Sequence, residues 1–135
     1  MVDIHTHILP GFDDGAADIY DALEMAQNAS DNGTKIIVAT PHSNIPGTPD
    51  RDCREIRNAV SQLNEIIAEN GIDLTVLNGM EIFGTDDIAK KLKANELLTI
   101  NDTGYPLIEF DFEENAMSIF RILESLLKEG YTPII

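Results

Sequence analysis

Residues 35–42 read Lys35-Ile36-Ile37-Val38-Ala39-Thr40-Pro41-His42. The run from Ile36 to Thr40 is continuous, apolar and rich in β-branched residues, as expected of a parallel strand covered on both faces. Such a strand reaches its neighbour through a crossover, and both flanks supply one. Upstream, Asp18–Asn32 sets Ile19, Ala22, Leu23, Ala26 and Ala29 at helical spacing, and Gly33 stands where that helix ends. Downstream, a loop rich in Pro and Gly runs from Pro41 to Pro49. Asp50–Asn70 then carries Ile56, Val60, Leu63 and Ile67 on one helical face and closes at Gly71.

The alternation extends in both directions. Val2–His5 is a short apolar start suited to a buried strand, and Leu74–Met80 is a third strand. Asp86–Leu98 reads as a helix whose Lys90, Lys91 and Lys93 form a solvated face. Leu107-Ile108-Glu109-Phe110 is a fourth strand. Glu113–Lys128 is a helix with Met117, Phe120, Leu123, Leu126 and Leu127 as a core stripe, stopped by Gly130, and Thr132-Pro133-Ile134-Ile135 begins a fifth strand. Strand and helix in alternation give an α/β chain of parallel β/α units, doubly wound or barrel. No repeat or linker divides residues 1–135, which read as one domain. Five strands are too few to close a parallel β/α barrel, so the expectation is the front portion of a larger barrel, or a barrel completed by another chain.

Charge narrows the function classes. Nine basic against 24 acidic residues give a net charge of −15, a field that repels nucleic-acid backbones and anionic bilayers and attracts cations. No apolar run has the length of a membrane span, and the start lacks a basic-then-apolar leader, so a cytoplasmic protein is expected. The single cysteine, Cys53, fits a reducing compartment. It also lacks the arginine six positions on that a cysteine phosphatase needs, since Ala59 stands there, and a tolerated helix cysteine is expected. There is no Gly-rich phosphate loop and no nucleophile elbow, and Ser43 beside His42 does not make a triad.

The chemistry follows from where polar residues meet strand ends. His5 and His7 end the first strand, His42 follows the second, Glu81 follows the third, and Glu109 lies within the fourth. Asp13 and Asp14 occupy the loop after the first strand, where one of them is expected simply to make the turn. In β/α folds the C-terminal ends of strands are the face on which sites are built. His-x-His points both imidazoles to one side of an extended chain. Imidazole with carboxylate suits Zn, Mn or Fe, and a carboxylate can bridge two ions. A carboxylate in the apolar run around Glu109 is costly unless paired or metal-bound.

These residues carry a resemblance. Met1-Val2-Asp3-Ile4-His5-Thr6-His7-Ile8-Leu9-Pro10-Gly11-Phe12-Asp13-Asp14-Gly15 resembles the opening motif of the PHP (polymerase and histidinol phosphatase) superfamily. More closely, it is similar to the CpsB/CapC/YwqE-type bacterial protein-tyrosine phosphatases of capsule and exopolysaccharide synthesis. Ile37-Val38-Ala39-Thr40-Pro41-His42, Asn78-Gly79-Met80-Glu81-Ile82, Asn101-Asp102-Thr103 and Leu107-Ile108-Glu109-Phe110 match in the same order. The resemblance implies a distorted, TIM-like PHP barrel and up to three divalent ions, manganese first and iron or zinc as alternatives. It implies His5, His7 and Glu81 as ligands of one ion. Glu81 and Glu109 follow as ligands of a second, and Asp14 and His42 of a third. Water activated by these ions would attack phosphorus, with no catalytic side chain beyond the metal ligands. The family pattern continues with an Ala-His-x-Glu-Arg motif and an Asp-x-His pair, and neither occurs in these 135 residues. The phosphate-binding arginines are therefore absent from the chain.

Two function classes follow. One is a metal-dependent phosphomonoesterase, a protein-tyrosine phosphatase acting on the phosphotyrosine tail of a bacterial exopolysaccharide or capsule kinase, with a histidinol-phosphatase-like hydrolase as its rival. The other is a catalytically silent binding or assembly unit. Neither involves nucleic acid or membrane insertion. An unfinished barrel exposing apolar surface also points to a homo-oligomer.

Overall fold

The structure is a computed structural model that describes residues 1–49 and 51–135. Its elements, in chain order, are β1 (Val2–Thr6), α1 (Ile19–Asp31), β2 (Ile36–Ala39), β3 (His42–Ser43) and α2 (Cys53–Glu69). There follow β4 (Thr75–Asn78), β5 (Glu81–Phe83), α3 (Ile88–Lys93), a 3-10 turn at Ile100–Asp102, β6 (Leu107–Glu109) and α4 (Ala116–Lys128). All pairings are parallel, in two three-stranded sheets ordered β1-β2-β4 and β3-β5-β6. Ile134 adds a further parallel bridge to Leu107, at the place where a fifth strand is expected.

The second and third expected strands are each followed by a short strand that patterning did not predict, and β3 falls inside the expected Pro41–Pro49 loop. The chain of β2 continues through Thr40-Pro41 into β3, and that of β4 through Gly79-Met80 into β5. Pro41 has no N–H to give the ladder, so pairing breaks there. On the neighbouring segment, in register with Thr40, a Cβ on Gly79 would stand 2.9 Å from Val38 Cγ1, so a larger residue there would force the Val38 side chain to shift. Just past the break the Glu81 N–H reaches the Pro41 carbonyl at 3.2 Å, the first rung of the β3–β5 ladder.

Side-chain patterning accounts for the helices. Asp18 caps α1 by accepting from the N–H groups of Tyr20 and Asp21, and Asp52 caps α2 through the Arg54 N–H. The four apolar residues expected on one face of α2, namely Ile56, Val60, Leu63 and Ile67, are all buried. The expected start of that helix at Asp50 lies outside the described residues. From α2 the Asn64 side chain reaches β4, where its amide pairs with both the N–H and the C=O of Val76 at 2.8 Å. A side-chain amide thereby takes the part of a neighbouring strand along the outer edge of β4.

Three expectations are corrected. β1 is an edge strand rather than a buried one: it pairs only with β2, and Val2 and Ile4 are exposed. The Asp86–Leu98 helix contracts to α3 because Asn95 turns left-handed at φ 57° just beyond its end. In that helix Lys91 is not merely solvated, since its ammonium donates to the Asn44 side chain. The stripe of α4 is only partly core. Ile122 and Leu126 are buried, whereas Met117, Phe120 and Leu127 are exposed, because the apolar arc is wider than the face that packs inward. Among the described residues no helix is long and apolar enough to cross a membrane.

Candidate metal centre

The step between the two sheets is what gathers the polar residues. β1 delivers His5, and His7 follows it. β3 and β5 both begin at the break, and their register sets His42 opposite Glu81. β6 brings Glu109 opposite Phe83, one strand further on. The donors thus gather at the C-terminal ends of β1 and β6 and at the first residues of β3 and β5, just past the C-terminal ends of β2 and β4.

Glu81 is the hub. Its carboxylate is buried, with one oxygen 3.0 Å from His5 Nε2 and the other 3.1 Å from His7 Nε2 and 3.2 Å from His42 Nδ1. His42 Nδ1 also lies 3.0 Å from Glu109 Oε1, so the carboxylate in the fourth strand is paired. Asp14 is mostly exposed and approaches from the loop, 3.6 Å from His42 Nε2 and 3.7 Å from His7 Nδ1. Donor atoms fall into three overlapping groups, each within 4.8 Å: His5–His7–Glu81, His42–Glu81–Glu109 and His7–Asp14–His42. All six residues singled out in the sequence come together.

Negative charge dominates this cluster. Burial opposes a charge on His42, but the hydrogen bond to Glu109 and the charges of Glu109, Glu81 and Asp14 outweigh it and raise its pKa. Two carboxylates on one imidazole leave more negative charge than that ring can match. Mixed imidazole and carboxylate donors at these separations suit a borderline divalent ion such as Mn, Fe or Zn.

Loop patterning left open which of Asp13 and Asp14 makes the turn, while the resemblance implied Asp14 as a ligand; the structure separates their roles. Asp13 makes the turn, its Oδ1 accepting from the Gly15 N–H at 3.2 Å. Its Oδ2 faces inward to His7 Nδ1 at 2.8 Å and the His42 N–H at 2.9 Å. Burial pushes the Asp13 carboxyl up, yet the hydrogen bonds from His7, His42 and Gly15 outweigh that and hold it below the usual range. A donor at Nδ1 leaves His7 Nε2 free to face Glu81, as in carboxylate–histidine–metal triads. Gly15 is required by contact, since a Cβ there would lie 2.0 Å from the His7 carbonyl oxygen.

Arg51 was also missed, because no motif marks it. Its guanidinium lies 4.3 Å from the centroid of the Phe12 ring and donates to the Phe12 carbonyl at 2.7 Å. Burial pushes the Cys53 thiol up, away from the reactive thiolate, and the Ser43 hydroxyl is spent on the Pro41 carbonyl.

The capsular polysaccharide synthesis family CpsB/CapC matches residues 1–135. The chain is 41% identical over 135 residues to the tyrosine-protein phosphatase YwqE of Bacillus subtilis, covering all of this chain and 53% of that one. It is 34% identical over 137 residues to the tyrosine-protein phosphatase CpsB of Streptococcus pneumoniae, of which it covers 55%. A crystal structure from work on YwqE and CpsB, described as unique metal-dependent tyrosine phosphatases, superposes with a TM-score of 0.92 at 40% identity. The match covers 98% of this chain and 53% of that one. The chain spans about half the length of the curated relatives it matches.

Proposed function

As this chain belongs to the CpsB/CapC family, we propose that its protein is a metal-dependent phosphotyrosine phosphatase. In this reading His5, His7, Asp14, His42, Glu81 and Glu109 hold divalent cations, manganese first. The observation that carries it is the Glu81 carboxylate, buried and within 3.2 Å of a nitrogen on each of three histidines. One carboxylate shared among three imidazoles is costly to bury unless cations complete it. Residues 1–135 are read as part of one PHP-type domain, an arc of a distorted barrel. The parallel pairing of sequence-adjacent strands supports that reading.

Divalent ions would supply Lewis acidity toward phosphate oxygens and a lowered pKa for water at neutral pH. The chain's own part is positional. Glu81 faces two of the three donor groups at once, through two different oxygens. Asp13 holds the His7 ring with Nε2 inward and fixes the His42 backbone. Glu109 meets His42 at Nδ1, the nitrogen that Glu81 also faces. Nothing in this arrangement calls for a protein nucleophile.

The substrate in this reading is a phosphotyrosyl tail of a capsule or exopolysaccharide kinase in the cytoplasm; the relatives' names support its phosphotyrosine and capsule parts. Association with further copies is part of it, with exposed Met117, Phe120 and Leu127 supplying apolar surface that light scattering can test. The deciding assay gives full-length protein, stripped and reloaded with manganese, a phosphotyrosine peptide or histidinol phosphate. Preferred release of phosphate from the peptide is expected. Preference for histidinol phosphate, or no metal taken up, would overturn the reading.

A further inference from the structure

A cavity of about 610 Å³ opens beside the candidate metal centre, with Asp14 and His42 on one side of it. The rest of its lining mixes apolar Phe12, Ile45 and Pro49 with polar Asp13 and Thr48 and with Arg51, whose guanidinium is met by Glu55. Resting on the phosphatase reading above, we propose that this cavity is the aryl pocket of the enzyme. It would take the ring of a phosphotyrosyl group while the phosphate is held at the metal centre.

The argument is one of adjacency and chemistry. A phosphomonoester bound at the centre must direct its leaving group somewhere, and the cavity that shares Asp14 and His42 with the centre is roomy enough for a phenyl ring. Apolar walls favour an aromatic leaving group over a small or charged one, by withdrawing its surface from water. The wall is also built to persist. Arg51 stacks on Phe12, bonds the Phe12 carbonyl at 2.7 Å and meets Glu55 at 3.1 Å, which ties the start of α2 to the loop after β1. With one face on Phe12 and two of its donors committed, Arg51 acts as a fixed wall that shapes the pocket. It is distinct from the family's phosphate-binding arginines, which lie in motifs this chain does not contain.

The test compares two non-hydrolysable probes, phenylphosphonate and methylphosphonate, binding to manganese-loaded full-length protein in calorimetry. Both share the phosphonate head, so the ratio of their dissociation constants reports the ring alone. The expected preference for phenylphosphonate is about tenfold, the scale at which apolar pockets discriminate. Ile45→Ser should cut that preference severalfold. Thr48→Trp, at an exposed position on the cavity wall, should block the ring. Methylphosphonate affinity should stay put in both variants. An unchanged preference in both variants, or none in the native protein, would overturn the pocket while leaving the phosphatase reading intact. Binding of neither phosphonate to the loaded native protein would overturn both.

Discussion

The Asp13 carboxylate sits 2.8 Å from His7 Nδ1, and with the same oxygen it takes the backbone N–H of His42 at 2.9 Å. One loop residue therefore orients a histidine from the first strand and anchors the start of another strand. Outer partners of this kind tune how firmly inner donors are held. Asp13→Ala should weaken manganese binding about 10–100-fold, the usual effect of losing such a partner. Asp13→Asn, which keeps one acceptor oxygen, should fall between. Competition against a chelating dye measures both, and an Asp21→Asn control on α1 should leave affinity unchanged.

The same loop can be disturbed without touching a polar group. Gly15→Ala would push a Cβ to 2.0 Å from the His7 carbonyl oxygen and 2.4 Å from its Cβ. The loop must then move, and the Ala16 N–H would lose the His7 carbonyl, which it now meets at 3.0 Å. A cost of about 1–3 kcal/mol is expected for overpacking against backbone. Metal affinity should fall with it, because Asp13 and Asp14 ride on the displaced segment. Urea unfolding of the metal-free protein separates the stability loss from the loss of binding.

The core of the site was open to reading before any coordinates, and the reason is periodicity. His5 and His7 share a side because extended chain alternates, and Glu81 and Glu109 stand out as carboxylates against apolar strands. The four-residue face of α2 was legible for the same reason. Breaks in the ladder were not, since Pro41 looks like the end of a strand and only the register shows that pairing resumes at His42. Nor does periodicity tell which side of a wide apolar arc packs inward. On α4, Ile122 is buried while Phe120, two residues away, is exposed. Asp13 and Arg51 act through contacts made across distant loops, and a linear pattern holds no trace of those.

Asn64 offers a test of how the edge of the first sheet is closed. Its amide supplies both a donor and an acceptor to Val76, which is only 2% exposed. Asn64→Leu keeps similar bulk but strands a buried N–H and C=O together. Each group left unpaired costs about 1–3 kcal/mol, so the urea midpoint should fall clearly with little change in slope. Asn64→Asp retains an acceptor for the Val76 N–H but sets a charge against its carbonyl, and should be no better. An unchanged midpoint for both would mean that water replaces the amide at this edge.

Arg57 and Asp102 give a pH-dependent test away from the histidines. The guanidinium of α2 meets both carboxylate oxygens of Asp102, at 2.8 and 2.7 Å, and so ties α2 to the 3-10 turn. The hydrogen bond from Arg57 holds the Asp102 carboxyl below the usual range, against a smaller opposing effect of burial. A carboxyl lowered in the folded state adds stability above its unfolded pKa of about 3.9, and that stability is lost as pH falls through the folded value. Asp102 is left-handed at φ 58°, a conformation that asparagine tolerates, so Asp102→Asn removes the charge without straining the turn. Both partners are well exposed, and the expected cost at pH 7 is therefore small, about 0.2–1 kcal/mol. The gap between native and variant should shrink with added salt and close as pH drops from about 4 through the lowered pKa. A gap that stays constant across that range would show that the pair contributes through shape rather than charge.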